Sequence, residues 1–243
     1  MSISILFLLL LFAVAFLYAS VGHGGASGYL ALMALFSMSP EFMKPTALLL
    51  NLFVSLSAFL LFFKGGHFKW KIFLPFALAS IPFSFLGGMI ALDAAIYKKI
   101  LGVLLLIPVI RLVAFPNTST DALKPAHFLA SLLIGSVIGF LSGLIGIGGG
   151  IILSPVLLLL AWTDQKQTAA ISALFIFVNS LSGLAGQITK GIDFQSGMVA
   201  YAGVAFLGGS LGAWLGADKF NQNALKYLLA IVLLVASVKL LLT

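Results

Sequence analysis

Apolar residues fall in long blocks along this chain, parted by short polar connectors. The blocks Ile3–Ala19, Pro45–Phe63, Ile72–Leu92, Ile100–Phe115, His127–Ile145, Thr168–Gln187, Gly197–Ala217 and Leu225–Leu242 each approach the ~20 residues that a helix needs to cross a bilayer. They predict eight transmembrane helices. Two further blocks, Gly28–Met38 and Ile151–Trp162, would reach only about 17 and 18 Å as helices, roughly half the hydrocarbon thickness. These predict half-helices or re-entrant segments, giving eight to ten membrane segments in all.

A glycine cluster stands before each short block: Gly22-His23-Gly24-Gly25 in the first half and Gly146-Ile147-Gly148-Gly149-Gly150 in the second. A helix broken inside a bilayer leaves backbone groups unpaired, at several kcal/mol each, unless the break lines a cavity within the protein. A break used twice therefore points to a functional site, and to transport.

The halves align around the clusters. Thr46-Ala47 matches Thr168-Ala169, Ser55-Leu56-Ser57 matches Ser180-Leu181-Ser182, Lys64-Gly65 matches Lys190-Gly191, and Leu86-Gly87 matches Leu211-Gly212. Asp93 pairs with Asp218, Lys98 with Lys226 and Arg111 with Lys239. The expected fold is an all-α polytopic membrane protein with two homologous halves, each of four transmembrane helices plus a broken or re-entrant half-helix. Residues 1–113 form the first repeat, 114–126 a linker rich in Pro, Asn, Ser, Thr and Asp, and 127–243 the second repeat.

Orientation depends on the short blocks. If they turn back after four full spans, the repeats are parallel; if each completes a crossing, the repeats are inverted. The thirteen Lys and Arg residues divide seven to six in the first scheme and five to eight in the second. The positive-inside rule then leans to inverted repeats with the N-terminus outside.

Composition narrows the chemistry. With 62% hydrophobic and 8% charged residues, the chain carries more apolar surface than a soluble core can bury. It has no cysteine, which removes disulfides, thiolate nucleophiles and cysteine-ligated metals. The net charge of +7 sits mostly at helix ends, where the partner is the lipid headgroup rather than nucleic acid. The first segment lacks the basic start of a signal peptide and has a counterpart in the second half, so it counts as a span.

Gly24, Gly25, Gly148, Gly149 and Gly150 can present backbone N–H groups and the positive end of a helix to a small anion without any charged side chain. Close helix packing is the competing use of such glycines. Polar residues within apolar blocks are the next candidates: Asn51 and Ser57 in the first half, Asn179 and Ser182 in the second, with Ser27 and Ser154 in the short segments. His23 is the ionisable group expected nearest the midplane, and a histidine there can couple proton movement to substrate. No metal-ligand spacing, catalytic triad or phosphate loop is present, so no cofactor, metal or enzymatic activity is expected.

With these residues in view, the chain resembles the sulfite exporter TauE/SafE family, also grouped as toluene sulfonate uptake permeases. The likeness rests on Gly146-Ile147-Gly148-Gly149-Gly150 with Pro155 following, on Thr168 to Ser172 leading to Asn179-Ser180-Leu181-Ser182-Gly183, and on Lys190-Gly191-Ile192-Asp193-Phe194. Weaker copies lie around Gly22 to Gly28, Thr46 to Ala58 and Lys64 to Phe68. The resemblance implies a bacterial-type inner-membrane permease for sulfur oxyanions or organosulfonates, with a homo-oligomer as one option. The expected activity is anion transport by alternating access at the paired breaks. An anion channel of the same architecture and a non-transporting scaffold or sensor subunit are the alternatives.

Overall fold

A computed structural model describes residues 5–20, 25–114, 123–192, 195–219 and 222–242. Among them are ten helices: α1 (Ile5–Ser20), α2 (Ala26–Leu35), α3 (Pro40–Lys64), α4 (Trp70–Met89), α5 (Ala94–Ala114), α6 (Phe128–Ile145), α7 (Gly150–Leue159), α8 (Gln165–Ile188), α9 (Ser196–Lys219) and α10 (Gln222–Leu242).

 Four of these, α3, α4, α6 and α8, are long and apolar enough to cross a membrane. Every predicted block is a helix, and both short blocks are ten-residue helices rising about 15 Å.

The boundary that moved furthest is the start of α3, expected at Pro45 and found at Pro40. Pro40 takes the first helical position, where its fixed φ suits the turn and its missing N–H costs nothing. Pro45 then lies inside the helix, and Lys44 becomes a helical residue rather than part of a connector. At the start of α8, Asp164 accepts a hydrogen bond from the Gln167 backbone N–H (2.8 Å), a side-chain cap that neither short helix has.

Helix directions follow from pairwise contacts. The end of α2 returns to the level where α1 began: the Phe7 and Phe36 rings meet edge-on at 5.2 Å, while Tyr18 and Ser27 bond near the turn at 2.9 Å. So α1 and α2 form an antiparallel hairpin. The α6–α7 pair does the same, because Trp162, just past α7, lies 6.2 Å from Phe76, and Phe76 packs against Gly135 early in α6. The either-or framed from sequence fails here. Each short helix turns back, yet α1 and α6 run in opposite directions, because a hairpin contributes no net crossing and three further helices follow it in each half.

Small residues set the closest approaches. Gly135, Gly139 and Gly143 of α6 lie against the carbonyls of Phe76, Ser80 and Ser84 of α4, in parallel register. Gly208 and Gly212 of α9 lie likewise against Phe12 and Phe16 of α1. Such backbone-to-backbone contact is the packing mode that small residues permit in apolar surroundings. Between them α3 and α8 cross antiparallel, with Asn51 beside Ser180 and Leu48 beside Gly183. The main buried cluster joins α1, α2, α3, α5, α9 and α10, and a second joins α4, α6, α7 and α8.

Candidate functional site

The two hairpin turns are built by glycine in backbone conformations that other residues rarely adopt. Gly25, with φ +67°, caps α2, and Gly149, with φ +76°, caps α7 after Gly146 at +89° and Gly148 at +71°. Left-handed φ at consecutive positions needs residues without Cβ. Because the cap residues have no side chain, the first N–H groups of α2 and α7 receive no side-chain acceptor, and the positive ends of both helices face the interior.

The two helix starts share one internal cavity. Its wall includes Gly25, Ser27, Ser55, Gly150, Ser154 and Ser172, with Tyr18 closing one side. About 20 Å³ is open to the centre of a water molecule, room for one or two waters. Every described side chain on this wall is uncharged. Tyr18 and Ser27 hydroxyls are bonded at 2.9 Å. Ser154 Oγ lies 2.8 Å from the Gly150 carbonyl and 2.9 Å from Ser172 Oγ, so the hydroxyls already form chains that an anion can enter as an acceptor.

Of the residues singled out from sequence, Gly25 and Gly150 line the cavity. Gly148 and Gly149 form the turn behind it; a Cβ on Gly148 would lie 2.6 Å from Asn51 Nδ2, and one on Gly149 would lie 2.8 Å from both Ile138 and Phe175. Asn51 is fully buried and donates to Ser180 Oγ at 3.3 Å, leaving its Oδ1 without a partner. Asn179 donates to the Phe175 carbonyl at 2.8 Å and also keeps an unpartnered Oδ1. Ser57 and Ser182 are turned elsewhere: Ser57 donates to the Phe53 carbonyl on its own helix, and Ser182 to the Ile81 carbonyl of α4. Their i−2 neighbours Ser55 and Ser180 are the buried ones. His23 and Gly24 lie outside the described residues, as does Gly22.

The sequence spans residues 6–240 of a match to the family described as "Sulfite exporter TauE/SafE". The chain belongs to the sulfite exporter TauE/SafE family. It is 37% identical over 95% of both chains to "Probable membrane transporter protein y4hK" of Sinorhizobium fredii. It is 26% identical to "Probable membrane transporter protein YunE" of Bacillus subtilis, covering 81% of this chain and 79% of the relative. A further relative, "Probable membrane transporter protein MJ0441" of Methanocaldococcus jannaschii, is 28% identical over 58% of this chain and 54% of its own. No solved structure matches the chain. TauE/SafE proteins are membrane transporters rather than enzymes, and this member is an integral membrane protein of that family.

Three residues of this TauE/SafE chain were passed over in the sequence. Tyr18 and Ser172 face the cavity from the helices beside the short ones. Ser172 was within reach: it stands two turns before Ser180 on α8, a spacing that places both on one face. Lys44, 9% exposed, was hidden by the misplaced start of α3.

Proposed function

We propose that this protein is a secondary transporter for a small anion, a sulfur oxyanion, an organosulfonate or a carboxylate, and that the anion binds where the two hairpin turns converge. The observation that carries this reading is the shared cavity: two uncapped, glycine-started helices and four serine hydroxyls meet on a wall without charged side chains. Fixed N–H dipoles and hydroxyls bind an anion reversibly, which suits release on the far side better than a full countercharge does. The small volume of the cavity supports an occluded arrangement, and so alternating access rather than an open channel.

The helix lengths support a duplication into residues 1–113 and 127–243. From α1 to α5 they are 16, 10, 25, 20 and 21 residues, and from α6 to α10 they are 18, 10, 24, 24 and 21. The opposed directions of α1 and α6 make the copies inverted, and the five-to-eight division of Lys and Arg then sets the N-terminal face outside a bacterial-type plasma membrane. The moving bodies cross the duplication boundary: the glycine contacts lock α1 to α9 and α4 to α6. Motion of one half against the other would open those seams.

The test is flux in proteoliposomes against a panel of sulfite, sulfonates and carboxylates, with and without an imposed pH gradient. Saturable uptake that the gradient drives uphill is expected. Flux that never saturates would favour a channel. Gly149→Val should abolish flux with membrane insertion intact, and normal flux in that variant would sink the site assignment.

A further inference from the structure

On the face where α1 begins, the start of α3, the end of α4, the start of α5 and the end of α8 enclose a second cavity of about 370 Å³. That is within the range of small-molecule pockets, whereas the central cavity has room for little more than a water. The two are neighbours through Lys44, which lines the larger cavity and whose carbonyl packs against Gly146 of the α6–α7 turn.

Lys44 is the unusual residue here. Its Nζ donates to the carbonyls of Gly87, Gly88 and Ile90 at 3.5, 3.2 and 3.1 Å, all at the C-terminal end of α4 and all uncharged. A helix end supplies about half a negative charge, which leaves a buried ammonium short of a counterion. Lys190 lines the same cavity, against the single described carboxylate of Glu41. Gln187 also lines it; this side chain is 3% exposed and its amide nitrogen has no hydrogen-bond partner. The remaining wall is largely apolar, with Phe42, Met89 and Leu92 prominent.

We propose that this vestibule is a second anion-binding site, taking a small organic monoanion with a sulfonate or carboxylate head at Lys44 and its carbon body on Phe42, Met89 and Leu92. The excess of cations selects the charge, and the apolar wall selects a carbon-bearing anion over a bare oxyanion. The site rests on the transport reading for its choice of ligand alone. Its test is binding, so loss of flux and loss of vestibule binding are separate results.

Because the chain has no cysteine, a single Ser39→Cys on the vestibule wall gives a clean reporter. In phosphatidylcholine nanodiscs, benzenesulfonate should slow modification of that cysteine by a charged methanethiosulfonate about tenfold, as expected for a ligand held by a charge-assisted hydrogen bond. Leu123→Cys, on the opposite face, should react at the same rate with and without it. Lys44→Met should abolish the protection and Lys44→Arg should keep it; where Lys44→Met does not reach the membrane, Lys190→Gln should reduce protection about threefold. Ser172→Ala should keep protection while losing flux. Absence of protection by benzenesulfonate, or full protection in Lys44→Met, overturns the proposal. So does protection by added phosphatidylglycerol alone, which would make the cavity a lipid headgroup site.

Discussion

The two hairpins share a design and differ in what holds them. In the first, the turn is secured within the hairpin itself: Tyr18 of α1 bonds Ser27 of α2, and Gly28 presses against Val14 and Tyr18. In the second, the turn is secured from outside. Ser154 of α7 meets Ser172 of α8, Gly150 packs against Ile176, and Gly148 sits over the bond between Asn51 and Ser180. One hairpin can therefore shift as a unit, while the other is registered by two neighbouring helices from both sides of the linker.

The strongest way to break this comparison is to give each turn a side chain. Gly148→Val combines a β-branched residue at positive φ, at about 1–3 kcal/mol, with overpacking against Asn51 and Ile176 at roughly another 1–3 kcal/mol. Proteoliposome flux should fall about 100-fold, and no single partner change should restore it, because the obstacles come from two helices. At Gly25 the obstacle is one side chain, the Tyr29 ring. Gly25→Ala should lose flux comparably, and adding Tyr29→Ala should recover about tenfold, leaving backbone strain of ~1 kcal/mol. Failure of that rescue would mean that the first turn is registered from outside as well.

Smaller substitutions sharpen the same contrast. Ser172→Ala removes the outer anchor of α7 at about 1–1.5 kcal/mol, so flux should drop five- to tenfold. Tyr18→Phe removes only a bond inside the first hairpin; a drop of about threefold is expected, with thermal stability lowered by ~1 kcal/mol. Ser57→Ala and Ser182→Ala, whose hydroxyls bond carbonyls away from the cavity, should each leave flux within about twofold of the parent. A tenfold loss in either would put the anion path on a different face of α3 or α8.

Much of this arrangement was legible in residue order. The two breaks, both short helices and the order of long ones follow from block length and glycine placement alone. Faces were harder to read. Ser55 and Ser57 differ by two positions, which in a helix is more than half a turn, and composition does not say which points inward; Asn51, four residues before Ser55, was the clue, since i and i+4 share a face. Lys44 was lost because Pro45 reads as a helix start. Extending the match between Thr46-Ala47 and Thr168-Ala169 back to Lys44 and Lys166 would have flagged it. The seam at Gly135, Gly139 and Gly143 stayed invisible, because glycine is common throughout an apolar chain with 25 of them and the partner carbonyls carry no sequence signal.

That seam bears on how such a molecule could have arisen. A five-helix unit alone would turn Gly135, Gly139 and Gly143 toward lipid with no ridge of carbonyls to fill the groove, and the stripe at Gly208 and Gly212 would be equally bare. An ancestor carrying a single unit would have needed a second copy inserted the opposite way up before its own helices could close. Fusion of the two into one chain then preserves an obligatory partnership rather than creating one, and a chain severed at the connection should still assemble from its pieces.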